Sequence, residues 1–229
     1  MLRKATSSIG AFVIHKMIND MNRIEDLSEQ ILQKCRFCNP PERERILWET
    51  EHFYVMVSLG PIVEGYLLIV TKSHIGACLN IPEELLQEFL MVKGRVKDIL
   101  TSTYGGCMFY EHGKAGSSLL IDGHIHCYHA HLHCFPMHDT LHNDVSLDYS
   151  PLILDSFEDA YINNHVSDKY LLIEDDKLYV YQPSDKPRSQ YLRFKLACHI
   201  GHPERWDWIN NQNWEMIDDT VKRLKPYFV

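Results

Sequence analysis

Tyr128-His129-Ala130-His131-Leu132-His133-Cys134-Phe135-Pro136 sets three imidazoles two residues apart. In an extended chain, alternate side chains point to opposite faces. The spacing predicts a strand with His129, His131 and His133 on one surface and Ala130, Leu132 and Cys134 turned to the core behind it. Three neighbouring imidazoles bring little apolar area and several polar atoms that need partners. The histidine face therefore reads as a site for something bound rather than as a packing face.

Upstream, the runs from Ile46 to Glu49, Phe53 to Val57 and Tyr66 to Thr71 read as strands, with Gly60-Pro61 punctuating the second and third. Pro82 followed by Glu83 and Glu84 opens a helix to about Thr101, its buried face marked by Leu85, Phe89, Val92, Val96 and Ile99. Cys107 to Glu111 predicts another strand. Together these give an α+β core of antiparallel strands and packed helices over residues 35–138. Residues 11–34 have the apolar spacing of an amphipathic helix, ended by Asn39-Pro40-Pro41, so 1–34 is expected to be an N-terminal helical extension. Residues 139–229 form an α+β extension. In it, Lys169 to Glu174 and Lys177 to Tyr181 make a hairpin around Asp175-Asp176, followed by helices near 188–200 and 213–224.

The totals limit what such a chain does. A net charge of −8 argues against a duplex nucleic-acid partner, which calls for a basic stripe, but leaves room for a single nucleotide. No apolar run approaches the ~20 residues of a membrane span. Seven cysteines, an odd number in a 229-residue chain with ample core, argue against a disulfide framework and favour a reducing compartment, the cytoplasm.

Taken together, these residues resemble the histidine triad superfamily of nucleotide hydrolases and transferases. The likeness rests on the His129-x-His131-x-His133 signature ending in Pro136, Cys35-x-x-Cys38 at the start of the core, the strand from Tyr66 to His74, and the loop Glu111-His112-Gly113. The resemblance implies that His131 attacks an α-phosphate to give a nucleotidyl-histidine, with His129 and His133 orienting it and donating to phosphate oxygens. Hydrolysis is preferred to transfer. Neutral imidazole suits the role, being a usable nucleophile near pH 7. The same resemblance implies a structural zinc held by Cys35, Cys38, His74 and His129, a chemically sensible tetrahedral set, with no cofactor required for the reaction itself. It also makes a homodimer possible.

In the loop after Glu111, Lys114, Ser117 and Ser118 suit a phosphate, and His112 is a candidate for contacting the leaving phosphate or acting as general acid. Gln190 and Arg193, near a helix start, are candidates for reaching phosphates from outside the cleft. Ser58 stands where many members of the superfamily carry an acidic ribose-binding residue. Ile125 and His126 stand where many have Gln followed by Ser or Thr. Two other readings stay open: a nucleotide-binding module without turnover, and a metal-dependent phosphohydrolase in which the histidine cluster holds a catalytic metal.

Overall fold

A computed structural model gives the fold and describes residues 33, 35–115, 128–162, 166–167 and 169–228. The helix expected over 11–34 lies almost wholly outside the described residues, as do Ser117, Ser118, Ile125 and His126. The expected early strands form as β1 (Ile46–Glu49), β2 (Phe53–Val57) and β3 (Leu67–Thr71). The helix after Pro82 is α1 (Glu83–Tyr104), followed by β4 (Met108–Glu111) and the histidine strand β5 (His131–Phe135). Beyond it come α2 (His142–Ser146), β6 (Pro151–Leu154), α3 (Phe157–Ile162), the hairpin β7 (Leu171–Glu174) and β8 (Leu178–Tyr181), then α4 (Tyr191–His199) and α5 (Trp214–Leu224).

All eight strands join one antiparallel sheet in the order β1-β2-β3-β5-β4-β7-β8-β6. The C-terminal hairpin thus lengthens the core sheet: β7 pairs with β4, setting Phe109 opposite Glu174 and Tyr110 opposite Ile173. Every residue of β2 and β3 is buried, the pattern of strands covered on both faces, and it accounts for their nearly continuous apolar runs.

One face carries Val55, Val57, Leu67, Ile69, Leu132 and Cys134 with Phe89, Val92, Val96 and Ile99 of α1. Each such large side chain contributes roughly 1.5–3 kcal/mol on burial. On α1, Leu86 is buried where Leu85 was expected and is half-buried. The helix runs one turn past Thr101 to Gly105, whose φ of 89° and N–H to the Thr101 carbonyl close it.

The other face carries Tyr54, Met56, Tyr66, Leu68, Val70, Tyr110 and Phe135, and here Leu192, Leu196 and Ala197 of α4 belong to the same apolar cluster. This is the histidine face. It was expected to be an open surface, and the C-terminal segment covers much of it: His129 and His133 are buried and His131 is partly exposed. The strand alternation itself holds, with Ala130, Leu132 and Cys134 in the α1-side core. Among the described residues no helix is long and apolar enough to cross a membrane.

Candidate active site and metal cluster

β5 lies between β3 and β4, so its side chains are flanked on both sides by paired strands. Leu68 stands opposite His133 on one side, and Tyr110 stands opposite it on the other. His131 is at the start of β5, and its Nδ1 lies 2.6 Å from the His129 carbonyl. A carbonyl only accepts, so Nδ1 carries the proton and Nε2 keeps its lone pair. Burial lowers the pKa of this ring, with the bond to His129 working the other way. Phe37 stacks on it with centroids 4.6 Å apart. A neutral, oriented imidazole with one unprotonated nitrogen and a partly exposed ring has what a nucleophile needs.

His133 is buried, stacked on Tyr110 at 4.3 Å, and its Nδ1 is 2.6 Å from the Tyr66 hydroxyl. That hydroxyl also meets the Tyr110 hydroxyl. Burial, aided by the nearby His131, His112 and Arg193, holds the His133 pKa well below the usual imidazole value. The His131 and His133 rings meet edge to face with centroids 4.9 Å apart.

His129 is turned to different work. Its Nε2 lies 2.8 Å from the Thr71 carbonyl and so carries the proton, leaving Nδ1 to face a cluster. Cys35 Sγ is 3.5 Å and Cys38 Sγ 3.6 Å from that Nδ1, and His74 Nδ1 is 3.2 Å from it and 3.3 Å from Cys38 Sγ. A tetrahedral zinc with bonds of about 2.3 Å to sulfur and about 2.0 Å to nitrogen sets its S···N edges near ~3.5 Å and its N···N edge near ~3.3 Å. The four donor atoms, all within 4.8 Å of one another, have the chemistry and the edge lengths of that site. Burial and the facing Cys35 push the Cys38 thiol up to about 12, a cost that a divalent cation would reverse by binding thiolates. Because the His129 carbonyl orients His131, the cluster and the His131 ring share one residue.

His112 is brought to the site, but as a helix cap. Its Nε2 accepts the Leu192 N–H of α4 at 2.9 Å, which puts any ring proton on Nδ1. Burial, then the charges of His131 and Arg193, lower its pKa to about 3. A ring that stays neutral and whose Nε2 already serves α4 departs from the expected general acid.

Arg193, a candidate for reaching phosphates from outside the cleft, is instead buried. Its guanidinium donates to the carbonyls of Trp206 at 2.7 Å, Arg205 at 3.1 Å and Gly60, and it lies 5.5 Å from the Tyr66 ring. Gln190 forms the N-cap of α4 in the left-handed region at φ 54°, its carbonyl accepting the Phe194 N–H.

Ser58 is enclosed too, at 3% exposure, and its hydroxyl turns to the Leu59 carbonyl. The loop beyond it is covered by the C-terminal segment: Asn213 donates to the Pro61 carbonyl, Arg205 to that of Ile62, and Gly60 to that of Gln212. Gly60, at φ 59°, lies so close to Trp208 that a Cβ would come within 2.8 Å of that residue. A ribose-binding role for Ser58 is therefore not what this geometry offers. Lys114 crosses Gly76 in the loop that follows His74, near the cluster.

The sequence reading passed over Phe37, Tyr66 and Tyr110. Only the register of β3 and β4 against β5 reveals that the two tyrosines serve His133, although a buried hydroxyl needing a partner was a signal in both.

Residues 22–150 match the family described as "Protein similar to CwfJ C-terminal". No curated protein matches the chain. Solved structures similar to parts of it include a Zn-bound histidine triad family protein from Mycobacterium smegmatis, 21% identical, with 47% of this chain and 78% of that one covered and a TM-score of 0.38. A hypothetical histidine triad nucleotide-binding protein from Sulfolobus tokodaii is 20% identical over 83% of this chain and 94% of that one, with a TM-score of 0.35. A HIT family hydrolase from Clostridium thermocellum is 19% identical over 47% of this chain and 93% of that one, with a TM-score of 0.34. With its triad on β5 and residues 22–150 matched, the chain belongs to the family of proteins similar to the CwfJ C-terminal, within the histidine triad superfamily.

Proposed function

We propose that this protein is a nucleotidyl hydrolase or transferase in which His131 attacks the α-phosphate of a nucleotide or nucleotide conjugate. The observation that carries this reading is the 2.6 Å bond from His131 Nδ1 to the His129 carbonyl, which leaves a neutral Nε2 free on a partly exposed ring. The Nε2 lone pair forms a P–N bond as the bond from phosphorus to the leaving group breaks, and the leaving group departs with that electron pair and takes up a proton. Water then attacks phosphorus, releases the nucleotide and restores His131, with hydrolysis favoured over delivery to another acceptor. His133 donates to a non-bridging oxygen, and Lys114 with Ser117 and Ser118 contacts the phosphates. Cys35, Cys38, His74 and His129 would hold a zinc ion, which supplies structure rather than a reacting group.

A second reading, a nucleotide-binding module without turnover, is favoured by the enclosure of Ser58 and by the use of His112 as a cap. Incubation with nucleotides labelled at the α-phosphate, followed by rapid quenching, separates the two. The enzyme yields an acid-labile adduct that His131→Ala lacks. Nucleotide binding that persists equally in both proteins, with no adduct in either, would support the module.

A further inference from the structure

We infer that the Tyr66 hydroxyl, held between Tyr110 and His133, fixes His133 as the tautomer with hydrogen on Nε2, making Tyr66 a positioning residue for the phosphate. The inference deepens the proposed function, since it concerns the same site. The three groups lie in a row: the Tyr110 hydroxyl meets the Tyr66 hydroxyl, which is 2.6 Å from His133 Nδ1. Both phenols are fully buried and His133 nearly so.

Two ways of placing the protons exist along such a row. In one, Tyr110 donates to Tyr66, and Tyr66 donates to Nδ1, so every hydroxyl proton has an acceptor and the ring proton sits on Nε2. In the other, Nδ1–H donates to Tyr66 and Tyr66 donates to Tyr110. The Tyr110 proton then has no acceptor along the row, in a site fully removed from water, a cost of roughly 1–3 kcal/mol. The first arrangement wins on that difference. The nearby Arg193 cation disfavours a second ring proton and keeps His133 neutral, so the two neutral tautomers are the forms that compete.

The consequence falls on the phosphate. His131 has its proton on Nδ1 and presents a lone pair at Nε2, whereas His133 presents an N–H at Nε2. Two rings with centroids 4.9 Å apart therefore offer one phosphoryl group a nucleophile and a donor, and they do so before any substrate arrives. Had the tyrosines been absent, either tautomer would serve and part of the population would face the phosphate with two lone pairs.

The test is nitrogen NMR of the full chain labelled at histidine, which reads the tautomer directly. The wild-type His133 should show a pyridine-like Nδ1 and a pyrrole-like Nε2. Tyr66→Phe, which takes the donor away from Nδ1, should give a mixture of the two forms, and Tyr110→Phe, which leaves Nδ1 as the acceptor for the Tyr66 hydroxyl, should keep the wild-type form. A pyrrole-like Nδ1 in the wild type, which needs no variant to observe, would overturn the inference, as would an unchanged tautomer in folded Tyr66→Phe. In the labelling reaction, Tyr66→Phe should lower kcat on the order of tenfold with little change in KM, as loss of an oriented donor does. If the wild type forms no adduct yet His133 has its proton on Nε2, the proposed reaction fails and the tyrosine pair stands. If adduct forms while the proton is on Nδ1, the reverse holds.

Discussion

Glu111 should make the protein less stable as pH rises, and Glu111→Gln should remove that dependence. The carboxyl is 2% exposed at the end of β4 and accepts the Cys78 N–H at 2.8 Å and the Tyr170 hydroxyl. Burial outweighs both bonds and raises its pKa from 4.5 to about 7. The folded state then binds this proton more tightly than the unfolded chain. Stability from this group is fully present below about pH 4.5 and is lost as pH climbs through about 7. With one pKa unit equal to 1.36 kcal/mol, the change between pH 5 and pH 8 comes to roughly 2–3 kcal/mol. His112 and His129, whose pKa values are lowered to about 3 and about 4, act oppositely, since their neutral forms stabilise the fold above the unfolded value and that stability fades on acidification. The quantity to measure is therefore the wild-type minus variant difference in urea unfolding free energy at pH 5, 6, 7 and 8. Relative to wild type, Glu111→Gln should gain roughly 2–3 kcal/mol between the ends of that range. A flat difference, or one of opposite sign, would refute the placement of this carboxyl in a dry, weakly compensated site.

Two further outcomes follow from the geometry. Purified protein should carry close to one equivalent of zinc by elemental analysis, and Cys38→Ser should lose the metal and a large part of its thermal stability; full-length protein with no metal but an unchanged melting temperature would contradict the cluster's role. Arg193→Met leaves the carbonyls of Trp206, Arg205 and Gly60 without their donor and should cost about 3 kcal/mol or more, with faster proteolysis of residues 200–213 than in wild type.

Much of the core was legible because its signals are local. The apolar runs at 46–49, 53–57 and 67–71 became strands, and Pro82-Glu83-Glu84 opened α1. The hairpin around Asp175-Asp176 also formed where its turn residues placed it. The two-residue spacing that put His131 and His133 on one face was readable for the same reason, and so was the pairing of Cys35-x-x-Cys38 with His74 and His129, once the resemblance supplied the partners. What escaped was everything that depends on which strand lies next to which. Tyr66, just ahead of β3, and Tyr110, within β4, are ordinary aromatic residues until β5 is laid between those strands. Arg193 reads as a surface cation until residues 205–213 fold back over Gly60 and surround it with carbonyls. His112 was seen as catalytic because it follows Glu111 in a loop, and only the position of α4 shows that a helix end claims its Nε2. Ser58 went astray for the same reason: nothing near it in sequence announces that a segment 150 residues away closes over its loop.

The strand order has a consequence for assembly. By stitching β7 along β4, the chain has filled from within the seam on the far side of β4 from the histidine strand, and among the described residues the outermost positions of the sheet fall to β1 and β6. β6 is short and places Leu152 and Ile153 in solvent. A second polypeptide that joins the described sheet by backbone pairing at those outer rims lies some distance from the triad, and would communicate with its histidines only across the width of the sheet.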